Sequence, residues 1–267
     1  MFPKSWNGTT TVQLPFGLNV SVYVISWIIV LAALFFIWRR GRVLGFVRWT
    51  TQDILIVAML GVLLEVYDNL IGDQFITPLI NLIPFGHAFA LNDLPYMFLL
   101  MVGIAMVRKP GVATAMVFLN FLLMQLFYSG QGINILAWPY GIMQGVFVDL
   151  YFVLRGNRVF AHGGPQVLID GFFMGALRAF PAVTFQSAIM SPLLFGETKT
   201  LGYIFFYTLF NLLGNGIEAA ISAPLAIRIA QSVNPSARRT APVSRRDVSS
   251  STGLPVVPEP ANEGRVS

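Results

Sequence analysis

The stretch TTQDILIVAMLGVLLEVYDNL, residues 50–70, decides the fold of this chain. Residues 54–64 carry no charge, and Glu65 and Asp68 follow them three residues apart. A helix needs about 20 mostly apolar residues to cross the hydrocarbon core of a bilayer. Inside that core every backbone polar group must be paired within the segment. The stretch therefore predicts a transmembrane helix with two carboxylates on one face.

Similar apolar stretches recur along the chain, which is 55% hydrophobic and only 11% charged. Soluble domains carry about 25% charged residues, so lipid must cover much of this surface. The spans are predicted at about 20–38, 52–71, 91–107, 111–128, 134–154, 166–192 and 201–229. The first is not a signal peptide, because its arginines follow the apolar run and do not precede it. The predicted fold is an all-α transmembrane protein, a six-helix bundle with one extra helix in front.

The basic residues predict the orientation of these spans. Fourteen of the 17 Lys and Arg residues fall on one side of the membrane, which the positive-inside rule makes cytoplasmic. Lys4 and Lys199 fall on the other side, and Arg178 lies within a span. We therefore expect a multi-pass protein of the cell membrane, with its N-terminus outside and its C-terminus in the cytoplasm. The fourteen are Arg39, Arg40, Arg42, Arg48, Arg108, Lys109, Arg155, Arg158, Arg228, Arg238, Arg239, Arg245, Arg246 and Arg265.

The chain divides into three predicted parts. Residues 1–48 hold an extracytoplasmic N-terminus, the extra helix and a basic cytoplasmic linker. Residues 49–230 form the six-helix membrane domain, and residues 231–267, rich in Pro, Ser and Arg, form a disordered cytoplasmic tail. The segment 72–90 lies outside and is too apolar for an ordinary solvated loop. It is either a lid over the outer mouth or a loop packed at the headgroup boundary.

Acidic residues in the outer half of the bundle predict a binding site. Glu65 and Asp68 lie near the outer end of the second span, and Asp93 begins the third span on the same side. An ionisable group inside a span costs at least about 2.5 kcal/mol, so such residues normally face a cavity or one another. An outward pocket here favours a cationic or hydrogen-bond-donating ligand. Trp138 and Tyr140 lie at similar depth and either stack on that ligand or belong to an aromatic belt at the interface.

The last span carries a polar stripe. Asn211, Asn215, Glu218 and Ser222 recur at offsets of four, three and four, which places them on one helix face. Arg178 lies near the middle of the sixth span and is expected to pair with Glu218. The stripe is either a structural ion-pair seam or the lining of a ligand cavity.

Further polar residues lie in the spans. The weaker candidates for the ligand site are Asn120 and Gln125 in the fourth span and Gln144 in the fifth. Asp149 and Asp170 lie near cytoplasmic helix ends, where they are expected to meet Arg155, Arg158 or a partner protein. Small residues four apart predict close helix packing, and they are Gly141 with Gly145, and Gly171 with Gly175 and Ala179.

The chain lacks the motifs of several enzyme classes. It has no cysteine, no Gly-x-x-x-x-Gly-Lys-Ser/Thr loop, no Gly-x-Ser-x-Gly elbow and no His-Glu-x-x-His helix. No span contains a lysine, which excludes a retinal protein with a Schiff-base lysine. We therefore expect a binding or transport protein, not an enzyme, with no cofactor, no metal and no nucleic-acid partner.

From Trp49 to about Ile229 the chain resembles the substrate-binding S-component of energy-coupling factor (ECF) vitamin transporters. The resemblance rests on residues 50–70, the Arg-Lys-Pro-Gly turn at 108–111, GIMQGVFVDLYF at 141–152 and LLGNGIEAAISAPLA at 212–226. The turn and the aromatic-acidic end of the second span are most similar to the hydroxymethylpyrimidine/thiamine branch. Two departures stand out: the extra first helix, and Val62 where the family's Ala-x-x-x-Ala docking motif would place the alanine that follows Ala58.

The resemblance implies a membrane-embedded substrate-capture subunit of an ECF-type ABC importer. Its partners would be a transmembrane coupling protein, two cytoplasmic ATPases and a small vitamin or precursor, thiamine-like or hydroxymethylpyrimidine-like. The alternatives are a stand-alone ion-coupled secondary transporter and a non-transporting membrane scaffold or sensor. On the capture hypothesis, three groups of residues bind the ligand. The carboxylates that supply negative charge or hydrogen-bond acceptors are Glu65, Asp68 and Asp93. The rings that stack on the ligand are Trp138 and Tyr140. The polar residues that orient the ligand are Gln144, Asn211, Asn215 and Glu218.

Overall fold

The computed structural model describes residues 9–11, 15–44, 48–83, 86, 88–127, 133–160 and 164–233. The tail predicted to be disordered lies outside these residues, except for positions 231–233. Those three continue the last helix, so the helix ends slightly later than the predicted domain boundary at 230.

Within the described residues the chain forms seven long helical segments in the predicted order, and the prediction of an all-α membrane protein is confirmed. Two of them widen into π-helical turns before resuming as α-helix. The elements are β1 (Thr9–Thr11), α1 (Phe16–Val43), α2 (Thr51–Glu65) with π-helical turns (Val66–Ile76) and α3 (Thr77–Ile80), α4 (Leu94–Val107), α5 (Val112–Phe127), α6 (Trp138–Arg155), α7 (Pro165–Phe180) with π-helical turns (Pro181–Met190) and α8 (Ser191–Phe195), β2 (Glu197–Lys199) and α9 (Leu201–Val233).

Four of these segments are long and apolar enough to cross a membrane by length and composition, namely Gly17–Val43, Thr51–Ile80, Pro165–Leu193 and Leu201–Val233. Leu91–Val107 and Val112–Phe127 are shorter apolar helices. We call the side on which α1, α4, α6 and α9 end the arginine-rich side. The other side, where α2, α5 and α7 end, is the opposite side.

The second span is longer than its sequence predicts. It was expected to end near residue 71, with 72–90 as a loop, but helix continues to Ile80. Gly72 does not stop it, because the wider turns bury this glycine against the Tyr67 carbonyl oxygen, 3.0 Å from an ideal Cβ. The described residues of the expected loop that follow Ile80, namely 81–83, 86 and 88–90, are non-helical, so the helical part up to Ile80 does not form a loop-like lid.

The closest helix pair is α7 with α9, and small residues make it possible. A Cβ at Gly171 would lie 2.7 Å from the Ala219 carbonyl oxygen, and one at Gly175 would lie 2.6 Å from the Ala219 Cβ. On the next pair, a Cβ at Gly145 of α6 would lie 2.7 Å from the Thr114 backbone nitrogen of α5. The predicted packing role of these glycines is confirmed.

The extra helix α1 packs beside the bundle and is not enclosed by it. Val30 and Ile37 are buried against Met143 and Val146 of α6, while most of the large apolar side chains of α1 are exposed. The N-terminal strand β1 pairs antiparallel with β2, with Thr10 opposite Thr198. This ribbon is a small addition to the predicted all-α fold, and it places the start of the chain on the same side as the turn before α9.

Candidate functional site

The centre of the candidate site is Arg178, which is 8% exposed in the middle of the α7 span. Its Nη1 donates hydrogen bonds to Asp93 Oδ2 at 2.7 Å and to Asn215 Oδ1 at 3.0 Å. Its guanidinium carbon lies 4.3 Å from the ring centroid of Tyr96, which is 1% exposed. A buried cation is thus held by one carboxylate, one amide and one aromatic face, as burial of a charge requires.

The expected ion pair between Arg178 and Glu218 is wrong. Arg178 forms its salt bridge with Asp93, which lies immediately before the first residue of α4. Asp93 lies closer because the turn before α4 brings the start of that helix against α9, whereas Glu218 lies one turn farther along α9 than Asn215. Glu218 interacts with Arg178 through charge but accepts no hydrogen bond from it.

Glu218 is the unusual residue of the site. It is 5% exposed, and within the described part of the chain neither carboxylate oxygen has a hydrogen-bond partner. The Nε of Arg178 is also buried without an acceptor among the described residues. A buried polar group left without a partner costs about 1–3 kcal/mol, and more when charged. An unsatisfied acceptor and an unsatisfied donor therefore remain on adjacent helices.

A second carboxylate, Glu65, is fully satisfied at the end of α2. Its Oε1 accepts from Asn69 Nδ2 and its Oε2 accepts from Asn120 Nδ2, each at 2.8 Å. Asp68 lies near Asn120 and interacts electrostatically with Asp93 and Arg178. Glu65 and Asp68 therefore join the Arg178 centre through Asn120 and Asp93. We call Glu65, Asp68, Asp93, Arg178, Asn211, Asn215 and Glu218 the polar cluster.

The polar stripe of α9 faces the interior along its whole length. Asn211, Asn215, Glu218 and Ser222 are all buried. The Nδ2 of Asn215 donates to the carbonyl oxygen and the Oδ1 of Asn211, at 3.2 and 3.1 Å. Asn215 is thereby oriented with its own Oδ1 toward Arg178. The stripe supplies three of the seven residues of the polar cluster.

The three remaining predicted residues, all on α6, divide between two environments. Trp138 lies away from the cluster: its Nε1 donates to Gln125 Oε1 at 3.3 Å, and its ring packs edge-on against Phe118 in the apolar contact with α1. The Tyr140 hydroxyl donates to Gln186 Oε1 at 3.4 Å and interacts electrostatically with Arg178, and Gln144, four residues later on α6, is buried. Tyr140 and Gln144 thus border the cluster, and Trp138 does not.

Part of the segment once expected to be a loop covers α9 beside the cluster. Ala88 and Ala90 are each 4% exposed, and Phe89 packs edge-on against Phe210 with centroids 5.0 Å apart. Gly214 lies directly beneath the Phe89 carbonyl, so α9 tolerates no side chain at that position. Residues 88–90 therefore cover α9 at Phe210 and Gly214, the positions next to Asn211 and Asn215.

Sequence reasoning missed two residues of the site. Asn69 lies four residues after Glu65, and Tyr96 lies three residues after Asp93, spacings that place each on the same helix face as its partner. Asn120 was predicted only as a weaker candidate. The helical spacing was a usable signal for Asn69 and Tyr96.

Two other buried carboxylates stabilise the arginine-rich side and do not belong to the site. Asp170 accepts from Arg155, from the Tyr151 hydroxyl at 2.7 Å and from the Phe160 backbone nitrogen, so its predicted pairing is confirmed. Asp149 was expected to meet Arg155, Arg158 or a partner protein, but it accepts from the backbone nitrogen and the hydroxyl of Thr114, at 2.7 and 2.6 Å. It caps the first turn of α5, whose free N–H groups favour an anion.

The fold and site define a multi-pass helical membrane protein with a mostly paired, buried charge cluster. Residues 52–177 match the model of the family described as "ABC-type cobalt transport system, permease component". This region runs from the start of α2 through most of α7. The match supports a membrane component of an ABC-type importer, and transport rather than enzymatic activity. No curated protein and no solved structure matches the chain.

Among the described residues, no group of three or more His, Cys, Asp or Glu side chains is arranged to hold a metal ion. In the polar cluster, Arg178 occupies the space between Asp93 and Asn215 that a cation would need.

Proposed function

We propose that the chain is the substrate-capture subunit, the S-component, of an ECF-type importer, and that the polar cluster is its binding site. The observation that carries this proposal is the pair of unsatisfied buried groups, the Glu218 carboxylate and the Arg178 Nε. A ligand that offers one donor and one acceptor would satisfy both. Intramembrane ionisable groups of this kind normally mark a substrate path.

The ligand that fits best is a flat, hydrogen-bonding ring with cationic character. An aminopyrimidine carries an amino donor beside ring-nitrogen acceptors, which complements Glu218 and Arg178. Tyr140 lies beside the cluster and offers an aromatic face, whereas the ring of Tyr96 is already covered by Arg178. Asp68 and Glu65 supply negative charge for a cationic second ring. These features support a thiamine-like or hydroxymethylpyrimidine-like vitamin, the ligand class that the sequence resemblance implies.

A cobalt ion is a weaker candidate, although the matching family is described as a cobalt transport permease. Cobalt in proteins prefers nitrogen, oxygen and sulfur donors that converge on one point. The described donors converge on a guanidinium instead, and its positive charge opposes a divalent cation. The two ligand classes are therefore separable in one binding experiment.

The proposed partners are a transmembrane coupling protein and two cytoplasmic ATPases. The chain has no Gly-x-x-x-x-Gly-Lys-Ser/Thr loop of its own, so the energy for uptake would come from another subunit. The family match to an ABC-type permease component supports this arrangement. On this proposal the N-terminus and the polar cluster face outside, and residues 88–90 belong to the cover over the site.

The direct test is to purify the full chain, extract its bound small molecules and identify them by mass spectrometry. Thiamine, hydroxymethylpyrimidine and Co²⁺ are then titrated into the extracted protein by calorimetry. Glu218→Gln should weaken thiamine binding by about 10- to 100-fold, the value of one hydrogen bond to a charged group. Glu197→Gln is the matched control, because Glu197 is exposed on β2, and it should change nothing.

Absence of any pyrimidine compound, together with no binding of added thiamine, would remove the substrate proposal. Equal losses in the two glutamine variants would remove the site. Co-purification then tests the partners: an S-component should bring down a coupling protein and ATPases. Transport by the isolated chain in proteoliposomes would favour the ion-coupled carrier, and tolerance of neutral substitutions at Glu65, Asp68 and Glu218 would favour the scaffold.

A further inference from the structure

A concave surface lies on the arginine-rich side, and its lining includes no residue of the polar cluster. It is a groove of about 700 Å³ between the end of α1, the start of α2 and the turn before α5. Its floor is apolar and comes from α1, and its rim is basic and aromatic. The floor residues are Leu34, Ile37 and Trp38, and the rim residues are Arg42, Arg48 and Trp49.

The groove is held open by well-defined contacts. Gly41 is buried against Pro110, where an ideal Cβ would lie 3.3 Å from the proline Cγ, and this contact sets the distance between α1 and the turn. Trp49 Nε1 donates to the Pro110 carbonyl oxygen at 3.3 Å. The guanidinium carbon of Arg42 lies 4.0 Å from the ring centroid of Trp38, so this cation is fixed at the rim.

Among the described residues, no carboxylate neutralises the positive charge of the rim. Asp53 is the single acidic residue between positions 39 and 64 of the sequence. It is already engaged, because it accepts from Lys109 Nζ at 2.5 Å and from the Thr50 backbone nitrogen at 2.6 Å. None of the ion pairs among the described residues includes Arg42 or Arg48.

The position of the groove selects its occupant. The floor continues into the exposed apolar face of α1, which includes Leu31 and Phe35 and lies in the lipid-exposed part of the helix. Tryptophans and arginines at a helix end are typical of the headgroup level of a bilayer. A molecule that fills both parts needs an acyl chain and a negative headgroup at the membrane surface.

We propose that this groove binds one anionic phospholipid, with its phosphate between Arg42 and Arg48 and an acyl chain along Leu34 and Ile37. Basic pockets between transmembrane helices bind such headgroups. The lipid would fasten the extra helix α1 to the six-helix bundle at the end where it approaches α2. This site is independent of the proposed capture function, and either can fail without the other.

The test uses native mass spectrometry of the purified full chain. Dioleoyl phosphatidylglycerol and dioleoyl phosphatidylcholine are titrated in turn, since they share acyl chains and differ in net charge. We expect phosphatidylglycerol to bind at least tenfold more tightly. Arg42→Gln with Arg48→Gln should lower its affinity by about thirtyfold, at about fivefold for each arginine.

The matched control is Arg39→Gln with Arg40→Gln, which removes the same charge from the same helix end but outside the groove lining. This variant should keep the affinity of the unmodified chain within about twofold. Equal losses in both double variants would overturn the proposal, because they would indicate nonspecific attraction. The proposal would also be overturned if the unmodified chain showed no preference for phosphatidylglycerol over phosphatidylcholine. Displacement of the lipid by millimolar inorganic phosphate would overturn it as well, because the rim would then be a site for a free anion.

Discussion

The salt bridge between Asp93 and Arg178 gives the sharpest test of the site geometry. The side chains of Asp93 and Arg178 are 17% and 10% exposed, and Nη1 and Oδ2 are 2.7 Å apart. Removing one partner of a buried pair costs about 3–5 kcal/mol, because the other charge stays buried without compensation. Asp93→Ala should therefore lower the free energy of unfolding by about 3–5 kcal/mol.

The conservative variant separates charge from hydrogen bonding. Asp93→Asn keeps an oxygen that can accept from Arg178, and a hydrogen bond to a charged group is worth about 1.5–3 kcal/mol. Its loss should be smaller than that of Asp93→Ala by about 2 kcal/mol. Asn215 accepts a second bond from the same Nη1, so the arginine is not left entirely unpaired in either variant.

The measurement is a double-mutant cycle of Asp93→Asn and Arg178→Gln, with unfolding in mixed micelles followed by circular dichroism. We expect a coupling free energy of about 2–3 kcal/mol, because the two side chains are in direct contact. The same cycle on Glu218→Gln and Arg178→Gln should give less, since those two side chains share no hydrogen bond. A coupling under about 0.5 kcal/mol for Asp93, the range of an exposed pair, would refute the buried geometry. A larger coupling for Glu218 than for Asp93 would restore the pairing first expected from the sequence.

Three further substitutions test the structure at independent points. Glu218→Gln should leave the stability of the ligand-free protein unchanged or raise it by up to about 1 kcal/mol, because it removes an unsatisfied buried carboxylate. A loss of stability above about 1 kcal/mol in the same unfolding assay would indicate that the carboxylate has a partner. Gly175→Ala should destabilise the protein by about 1–3 kcal/mol, because the added methyl group meets the α9 backbone. The control is Gly202→Ala, whose methyl group meets nothing within 4 Å and which should be neutral or slightly stabilising. Equal effects of the two substitutions would contradict the α7–α9 contact. Asp149→Ala should cost about 1–3 kcal/mol by leaving the Thr114 N–H and hydroxyl of α5 without their acceptor, and unchanged thermal stability would contradict the cap.

The sequence predicted the membrane helices well because hydrocarbon imposes a simple requirement on length and apolarity. It also predicted the close contact of α7 with α9, since Gly171 and Gly175 repeat at one helical turn. The end of the second span was wrong for a local reason. Glycine after a polar run usually ends a helix, but the π-helical turns bury Gly72 and carry the helix on to Ile80.

It was easier to predict which residues belong to the site than to predict which of them form ion pairs with each other. An ionisable residue inside a span is visible in the sequence as an energetic anomaly, so the acidic residues and the α9 stripe were identified. Which carboxylate meets Arg178 depends on the turn before α4, where Ala90 adopts a left-handed conformation with φ 53° and directs Asp93 toward α7. Asp93 and Arg178 are 85 positions apart. No periodicity within one helix contains that information.

The functional proposal rests on the incomplete hydrogen bonding of the polar cluster. Glu65 has two donors, Asn215 and Arg178 are tied to each other, and Asp93 neutralises the cation. A purely structural seam would be expected to satisfy its last carboxylate as well, because an unpaired one lowers stability and serves no packing purpose. Glu218 is buried in the same cluster and is left without a donor among the described residues. The Glu218→Gln variant should therefore keep or gain stability while it loses affinity for the ligand. Loss of both stability and affinity would assign Glu218 a structural role instead of a role in ligand binding.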